Sequence, residues 1–380
     1  MKKIVLFISL FIALGVYADQ TKVYRAYNKP SGGFVIMDDH NEVAAFSETG
    51  SIEEGENPFE SFLGENAPRM EIIQVQADEP RDFPLAVKDS VGPLLGDIRY
   101  NQEKPYFNKT PLYGDKHCVT GCVATAIAQI MRYWEWPKVC IGGYEEYYAS
   151  RISQTVGYNF ENKAFDWENM KPQYSGTEAE QQNEPDACDA VAELMLACGV
   201  GVHMGYGPDG SGANSNNVVN AMIKHFNYKN TMTLQSVAAL ETTNKFISTL
   251  YADLDAGRPI YCDGYENGKT GEDAFHAYVI DGYILLEGDN RDNPQILYIH
   301  FNFGWGGSRN GWYRIKGKDD RSFYSTLNVL TNIAPNDGTD LAENSVVIKD
   351  GKIRDILGRE VEQTIPGQMY IRDGKKFVTY

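Results

Sequence analysis

The chain has 380 residues, of which 42% are apolar and 23% are charged. This balance is typical of a globular protein with a sizeable core, and it excludes low-complexity disorder and collagen-like repeats. The 35 basic and 52 acidic residues give a formal net charge of −17. Such an acidic excess argues against a protein that binds nucleic acid through its phosphates.

The N-terminus predicts an export signal. Lys2 and Lys3 precede an apolar run over 4–16, and Ala18 supplies a small residue suited to signal peptidase. The run is too short for a membrane-spanning helix, which needs roughly 20 residues, and no later segment is apolar enough to span a bilayer. We therefore expect residues 1–18 to be a signal peptide, and the protein to be secreted or held at the outer cell surface without a membrane span.

Residues 19–93 predict short strands joined by turns. Two apolar runs at 34–37 and 43–46 flank the polar sequence 38–41, a pattern typical of a β-hairpin. Acidic, loop-like sequence follows, and the composition changes near Gly92 and Pro93. We expect a domain boundary there.

The segment from 94 to 333 predicts the largest domain. Apolar residues recur every three or four positions from Cys122 until Pro137, which indicates a helix that begins at the cysteine. The same pattern predicts further helices at 185–198, 215–226 and 241–255. The period then changes to that of strands at 259–262, 275–286, 296–303 and 312–315. Helices followed by antiparallel strands imply an α+β domain with a cleft between its two halves.

The C-terminal stretch 334–380 predicts a small β appendage. A polar linker occupies 335–338, and two Asp-Gly pairs at 350–351 and 373–374 each stand between apolar runs. Asp-Gly is a strong signal for a two-residue hairpin turn.

The residues Cys122, His276 and Asn302, which follow one another in this order along the chain, indicate nucleophilic catalysis. Cys122 stands at the start of an apolar helix, where unpaired N–H groups and the helix dipole are expected to lower the pKa of its thiol. His276 begins a predicted strand, and Asn302 ends the next one. Each residue alone is commonplace, and a cysteine at a helix start is more often a small packed residue. Together they follow the order of papain-like Cys/His/Asn sites, although the papain signature itself is absent.

Four segments resemble the streptopain (interpain) family of secreted bacterial cysteine proteases, namely 121–131, 206–213, 276–282 and 302–307. The resemblance covers 94–332 and implies a papain-like catalytic fold of two subdomains, a helical part and an antiparallel sheet. Residues 30–65 also resemble the inhibitory prodomain of that family. The resemblance therefore implies an α/β prodomain over 19–93 that inhibits the enzyme within the same chain. More weakly, the C-terminal tail resembles the sorting tails of secreted Bacteroidetes proteins.

The resemblance also implies roles for individual residues. Cys122 would be the nucleophile, His276 the base, and Gln102 the side-chain donor of the oxyanion hole. Asn302 would orient the imidazole, and the segment from Asn302 to Trp305 would shield it from solvent.

Four residues would line the substrate cleft in this family, namely Ser211, Gly212, Phe275 and Trp305. The substrates would be proteins or peptides with an apolar residue two positions before the new C-terminus, and no cofactor or metal is implied.

Two positions depart from the family pattern. Phe303 stands where a tryptophan is usual, and Phe275 replaces a glycine, which would narrow the cleft where substrate backbone should lie. Two alternatives therefore stay open. The chain could be a catalytically silent relative that acts as a binding or inhibitor-like module, or it could be a cell-wall amidase.

Several other patterns carry less weight. The string from Gly205 to Gly210 matches a dinucleotide fingerprint, but Pro208 lies inside it and no suitable acid follows. A disulfide between two of Cys118, Cys140 and Cys188 is left open by their spacing. His300 should face the same side of its strand as Asn302, either next to the site or within the core.

Overall fold

The computed structural model describes most of the chain. The described residues are 23–30, 32–54, 57–59, 67–74, 87–237, 243–265, 275–287, 295–315, 327–337, 353–355, 369–372 and 375–378. The predicted signal peptide and both Asp-Gly turns of the tail lie outside them. The chain divides into two compact units, Met1–Pro335 and Asn336–Tyr380.

The first unit begins with short strands, and the predicted hairpin is confirmed, since Phe34 pairs with Ser47 and Ile36 with Ala45. The strands of this region are β1 (Val23–Asn28), β2 (Phe34–Met37), β3 (Val43–Ser47), β4 (Arg69–Gln74) and β5 (Val87–Val91). Two small hairpins follow on either side of the first helix, formed by β6 (Leu112–Tyr113) with β7 (Lys116–His117) and by β8 (Tyr144–Ala149) with β9 (Gln154–Asn159).

The predicted helices are present. They are α1 (Cys122–Trp134), α3 (Pro185–Gly201), α4 (Asn216–Lys224) and α5 (Thr243–Leu254), with a short α2 (Glu178–Asn183) that the sequence pattern did not indicate. Helix α1 ends where Glu135 adopts a left-handed conformation, two residues before Pro137. Its first ten residues are all buried. This burial places the start of α1 in the interior of the unit and not on its surface.

The later strands complete a mixed α+β architecture. They are β10 (Thr233–Ser236), β11 (Ile260–Tyr265), β12 (Phe275–Glu287), β13 (Gln295–Asn302), β14 (Gly311–Ile315) and β15 (Leu327–Thr331). Among the described residues, one eleven-stranded sheet has the order β10-β15-β11-β12-β13-β14-β3-β2-β1-β4, with β5 added beside β12. Its pairs are antiparallel except for β1 with β4. Strand β3 pairs with β14, so residues of the 19–93 region extend the sheet of the later region.

The two faces of this sheet belong to two cores, and alternation along β12 assigns its side chains to them. Ala277 and Val279 pack in the same cluster as the buried side chains of α1 and α3. Tyr278 and Ile280 point to the other face, where they join α5 and the side chains of β1 to β3. The face that carries Ala277 is therefore the one that meets the N-terminus of α1.

The second unit is small. Its described residues form an antiparallel sheet of β16 (Ile353–Asp355), β17 (Met369–Arg372) and β18 (Lys375–Val378). Arg372 pairs with Lys375, the residues that flank the second predicted Asp-Gly turn in the sequence. Within the described part of the chain, no helix combines the length and apolar character required to cross a membrane.

Candidate active site

Cys122 is the first residue of α1 and is 7% exposed. Its thiol lies against the strand that carries the histidine, because the backbone N–H of Ala277 donates a hydrogen bond to it. The N–H groups of Cys122 itself and of Val123 also favour the thiolate. Burial nevertheless outweighs these donors and raises the pKa of the thiol to about 11. The expectation that the helix start lowers this pKa is thus wrong for this structure.

His276 is the second residue of β12, and its Nε2 lies 2.9 Å from the carbonyl oxygen of Phe303. A carbonyl oxygen can only accept, so Nε2 carries the proton. Burial, together with the smaller effect of the positive charge of Arg309, lowers the pKa of His276 to about 4, although the hydrogen bond with the Phe303 carbonyl opposes this shift. The ring is therefore neutral at pH 7, and its Nδ1 is left with an unprotonated lone pair that can take up a proton.

Aromatic rings cover the imidazole. Trp305 stacks on His276 with ring centroids 4.2 Å apart and an interplanar angle of 20°. Phe303 is fully buried and stacks on Trp305 at 5.4 Å, so it forms the layer behind. The guanidinium of Arg309 lies 4.4 Å from the centroid of the Trp305 ring. The indole next to the histidine is supplied by Trp305, and the phenylalanine at 303 leaves that contact intact.

Asn302 is buried, and its amide braces the loop that follows it. The Nδ2 group donates to the carbonyl oxygen of Ile98 at 2.8 Å, and Oδ1 accepts from the N–H of Gly304 at 3.2 Å. The hydrogen bond of the imidazole goes to the next residue along, Phe303. The amide thus fixes the turn that presents the Phe303 carbonyl to His276. A direct orienting role for the Asn302 amide stays a prediction.

His300 faces the same side of β13 as Asn302, as strand alternation predicts. Its Nδ1 lies 2.5 Å from Oδ1 of the buried Asp281. The other oxygen of Asp281 accepts from the N–H of Leu95 at 3.1 Å. Asn302 and His300 therefore both fasten the segment 95–98 to the sheet, which is a bracing role for His300.

Gln102 belongs to a segment that is anchored on both sides of the site. Its carbonyl oxygen accepts from the N–H of Thr120, two residues before Cys122. Tyr100, two residues before Gln102, donates its N–H to Oε1 of the buried Gln129 in α1 at 3.1 Å, and its carbonyl accepts from the N–H of Gly306. The structure thus brings Gln102 between the start of α1 and the loop that carries Trp305.

The loop with Ser211 and Gly212 packs directly against the residue before the cysteine. A Cβ atom on Gly121 would lie 2.9 Å from the carbonyl oxygen of Ser211 and 2.7 Å from Sδ of Met204. The loop is closed on itself, since Gly205 and Gly212 pair as an isolated bridge. Gly121 has a φ of 86°, which favours glycine. The absence of a side chain at Gly121 therefore allows the loop to approach Cys122.

A cleft of about 870 Å³ opens beside this loop. Of the residues expected at the substrate cleft, Gly212 and Phe275 line this cleft, together with residues of α4, β10, β11 and β15, whereas Ser211 and Trp305 do not. Their role towards a substrate stays a prediction. Asp263, within β11, also lines the cleft and was not predicted. The sequence carries a weak signal for it, an acid that directly follows the apolar run 259–262.

All six cysteines are free thiols and all are buried. The disulfide that the spacing left open is therefore absent from this structure. Burial raises the pKa of each of the other five thiols as well. What distinguishes Cys122 is its position, with backbone N–H donors around its sulfur and the strand of His276 beside it.

Comparison with known sequences identifies a family and relatives. The family model described as the peptidase C10 family matches residues 100–313. Streptopain of Streptococcus pyogenes is 30% identical over 322 residues, which cover 76% of this chain and 73% of streptopain.

Comparison with solved structures identifies the fold. A prointerpain A fragment of Prevotella intermedia is 25% identical, with a TM-score of 0.59, and covers 82% of this chain and 98% of its own. Active interpain A cysteine protease from the same organism is 29% identical, with a TM-score of 0.51, and covers 64% and 95%. These similarities confirm the predicted papain-like α+β fold.

Proposed function

The chain belongs to the peptidase C10 family and is a cysteine endopeptidase, and on this premise we propose that it is made as a secreted precursor in which residues 19–93 hold the catalytic domain inactive. We further propose that Cys122 and His276 carry the reaction. The observation that supports this assignment best is the contact of the Cys122 thiol with the N–H of Ala277, the residue that follows His276.

The reaction proceeds through a thioester. Nδ1 of His276 takes the proton of the Cys122 thiol, and the thiolate attacks the carbonyl carbon of the scissile peptide bond. When the tetrahedral intermediate collapses, the C–N bond breaks and the imidazolium returns its proton to the leaving amine. A water molecule, deprotonated by His276, then attacks the thioester and releases the acid product and the free thiol.

In this mechanism, the negative charge on the oxygen of the tetrahedral intermediate develops at the start of α1. We assign its stabilisation to the N–H of Cys122 and the side-chain amide of Gln102, whose backbone is fixed to Thr120. A donor aimed at such an oxyanion commonly contributes roughly 3 kcal/mol to catalysis.

Contacts of the N-terminal strands support the inhibitory role of residues 19–93. Phe46 of β3 pairs with Trp312 of β14. The carbonyl oxygen of Ser51 accepts from the N–H of Arg309, whose guanidinium covers Trp305. The 19–93 region therefore reaches, through one residue, the aromatic ring that stacks on His276. The export signal expected at 1–18 supports secretion.

The ionisation of the two reacting residues also supports a latent precursor. With a thiol pKa of about 11 and an imidazole pKa of about 4, both groups are neutral at pH 7. Attack requires the thiolate, whose fraction is then very small. We propose that removal of residues 19–93 opens the site to solvent and substrate and so favours the ion pair.

The test is a Cys122→Ala variant of the full chain, with Cys188→Ala as the control because Cys188 is another buried thiol away from the site. We expect Cys122→Ala to remain an intact precursor and casein hydrolysis to fall roughly a thousandfold or more, while the control matures and digests casein. Normal maturation of pure Cys122→Ala would contradict self-processing. Hydrolysis of purified peptidoglycan but not of casein would instead support the amidase alternative.

A further inference from the structure

We infer that Gln129, a buried residue in the middle of α1, is a positioning residue for the proposed reaction. It holds the segment 100–102 so that the side-chain amide of Gln102 is aimed at the oxyanion of the tetrahedral intermediate. This inference rests on the proposed function, because Gln129 acts through the oxyanion donor assigned there.

Gln129 is a polar residue at a position where packing alone would favour an apolar side chain. It is 0% exposed, and its neighbours Ala128 and Ile130 are fully buried in the core that α1 shares with α3. Among the described residues, its Nε2 has no hydrogen-bond partner. A buried donor without a partner is unfavourable, whereas methionine has a similar length and helix propensity and leaves no such donor. The glutamine is therefore not explained by the stability of the helix.

The oxygen of the same amide makes the contact that explains the glutamine. The backbone N–H of Tyr100 donates to Oε1 of Gln129 at 3.1 Å. An N–H group can only donate, so this contact fixes which way the amide is turned. Tyr100 is 0% exposed and lies outside the helices and strands, so no strand pairing supplies an acceptor for its N–H. Gln129 supplies that acceptor.

The segment that Gln129 holds in this way carries the oxyanion donor. The carbonyl oxygen of Gln102 accepts from the N–H of Thr120 at 3.1 Å, and its N–H donates to Oδ1 of Asn101 at 2.7 Å. Gln102 is thus fixed directly by Thr120 and, two residues earlier, by the contact of Tyr100 with Gln129. A donor aimed at an oxyanion must lie about 2.7–3.1 Å from it, and a displacement of about 1 Å can lower a rate roughly a hundredfold.

Gln129 also adjoins the loop beside His276, but it is not the only support of that loop. A Cβ atom on Gly304 would lie 3.8 Å from Nε2 of Gln129 and 3.0 Å from Cγ2 of Thr125, one turn earlier in α1. The carbonyl oxygen of Tyr100 accepts from the N–H of Gly306 at 2.9 Å. Because Thr125 supports the loop as well, we expect the loss of Gln129 to act mainly on the segment of Gln102.

The first measurement compares steady-state kinetics of Gln129→Met and wild type on a fluorogenic peptide, after removal of residues 19–93 by an added protease. The variant removes the acceptor and retains the length of the side chain. We expect kcat to fall roughly tenfold while KM stays within about twofold, because an oxyanion donor acts in the transition state. Gln182→Met, at an exposed glutamine of α2, is the matched control and should retain the wild-type kcat.

A kcat within about twofold of wild type in a folded Gln129→Met enzyme would overturn the inference. Gln129→Leu makes the same change with a branched side chain and serves if the methionine variant does not fold. The melting temperature of each variant reports whether it is folded.

A double-mutant cycle separates positioning of Gln102 from a general loss of structure. Gln102→Ala removes the donor that Gln129 is inferred to position. Adding Gln129→Met to Gln102→Ala should therefore lower kcat by no more than about twofold. A residue that merely stabilises the fold would lower kcat by the same factor in both backgrounds, so a full tenfold loss in Gln102→Ala would contradict the inference.

A peptide aldehyde distinguishes failure of this inference from failure of the proposed function. The Cys122 sulfur bonds to the aldehyde carbon and the thiol proton passes to the aldehyde oxygen, which then lies where the oxyanion would form; no bond of the peptide is cleaved. By calorimetry, we expect Gln129→Met to bind the aldehyde roughly tenfold more weakly than wild type does. That result supports the inference even if no peptide is hydrolysed. Equal binding, with hydrolysis by the wild type, would overturn this inference alone. A wild-type enzyme that neither binds the aldehyde nor cleaves peptides would overturn both proposals.

Discussion

Two effects of opposite sign act on the pKa of the Cys122 thiol, namely the dipole of helix α1 and the burial of the side chain. The dipole at a helix start is worth about 0.3–1 kcal/mol, which is less than one pKa unit. Full burial can move a pKa by up to about 3–5 units in the opposite direction. The local pattern around the cysteine reveals only the first effect, because the burial arises from packing against distant segments, among them Ala277 of β12, more than 150 residues later in the sequence. Burial also lowers the pKa of His276, on which Trp305 stacks, so both groups are neutral together.

At this scale we predict that Arg309→Gln raises the pKa of His276 above about 4, because it removes a positive charge that disfavours the imidazolium. The shift should be smaller than the effect of burial, which is the larger cause. NMR titration of the full-chain protein with nitrogen-labelled histidine measures it directly, and Lys138→Gln, at an exposed lysine, serves as the charge-matched control. A value above 6.5 in the wild-type full chain, or a decrease in Arg309→Gln, would contradict the account.

At the scale of elements, the positions of α1, β12 and β13 were all predictable, because each has a strong apolar periodicity with a clear end. The hairpin of β8 and β9 was not, since its polar, tyrosine-rich strands show no apolar pattern. Helix α2 has no buried residue at all, and its start is fixed by a hydrogen bond from the N–H of Glu180 to the Thr177 hydroxyl.

The same reasoning separates the predictable and unpredictable parts of the site. Cys122 and His276 could be found because each stands at the end of a recognisable element and belongs to a family motif. Asp263 could not be identified from the sequence, because what distinguishes it is a buried carboxyl that accepts a hydrogen bond from Asn328, 65 residues away. The pairing of β3 with β14 spans an even longer separation, and no local pattern specifies it.

We predict that Gly121→Ala impairs the site through the contact between α1 and the 204–212 loop. An alanine there would adopt a φ of 86° at a cost of about 1–3 kcal/mol, and its Cβ would lie 2.7 Å from Sδ of Met204. We expect a lower melting temperature and a kcat/KM reduced roughly tenfold, since misplacement of catalytic groups is costly.

Gly114→Ala is the matched control for that prediction. Gly114 also has a positive φ, of 62°, but a Cβ on it would meet nothing within 4 Å. It should lose some stability and little activity. Wild-type kcat/KM in Gly121→Ala would show that close approach of the loop is unnecessary.

For the whole molecule, the 19–93 strands and the catalytic strands share one sheet, while the residues from 336 onward form a separate unit. The predicted boundary near residue 93 therefore divides a single compact unit at two strand pairs, β3 with β14 and β5 with β12. Residues 23–59 contribute side chains to the same core as α5 and β12, for example Phe34 and Ile36. A cleavage that removes this region would expose apolar surface and change the surroundings of Trp305, which is a physical reason for activation to follow cleavage.

The most direct test of the account is alkylation of the thiols by iodoacetamide at pH 7, mapped by mass spectrometry, before and after removal of residues 19–93. In the precursor, a thiol pKa of about 11 predicts slow modification of Cys122. After removal, we expect rapid and selective modification of Cys122, with loss of casein hydrolysis in proportion. Equally slow labelling of all six cysteines in the processed protein, without any digestion of casein, would contradict the account.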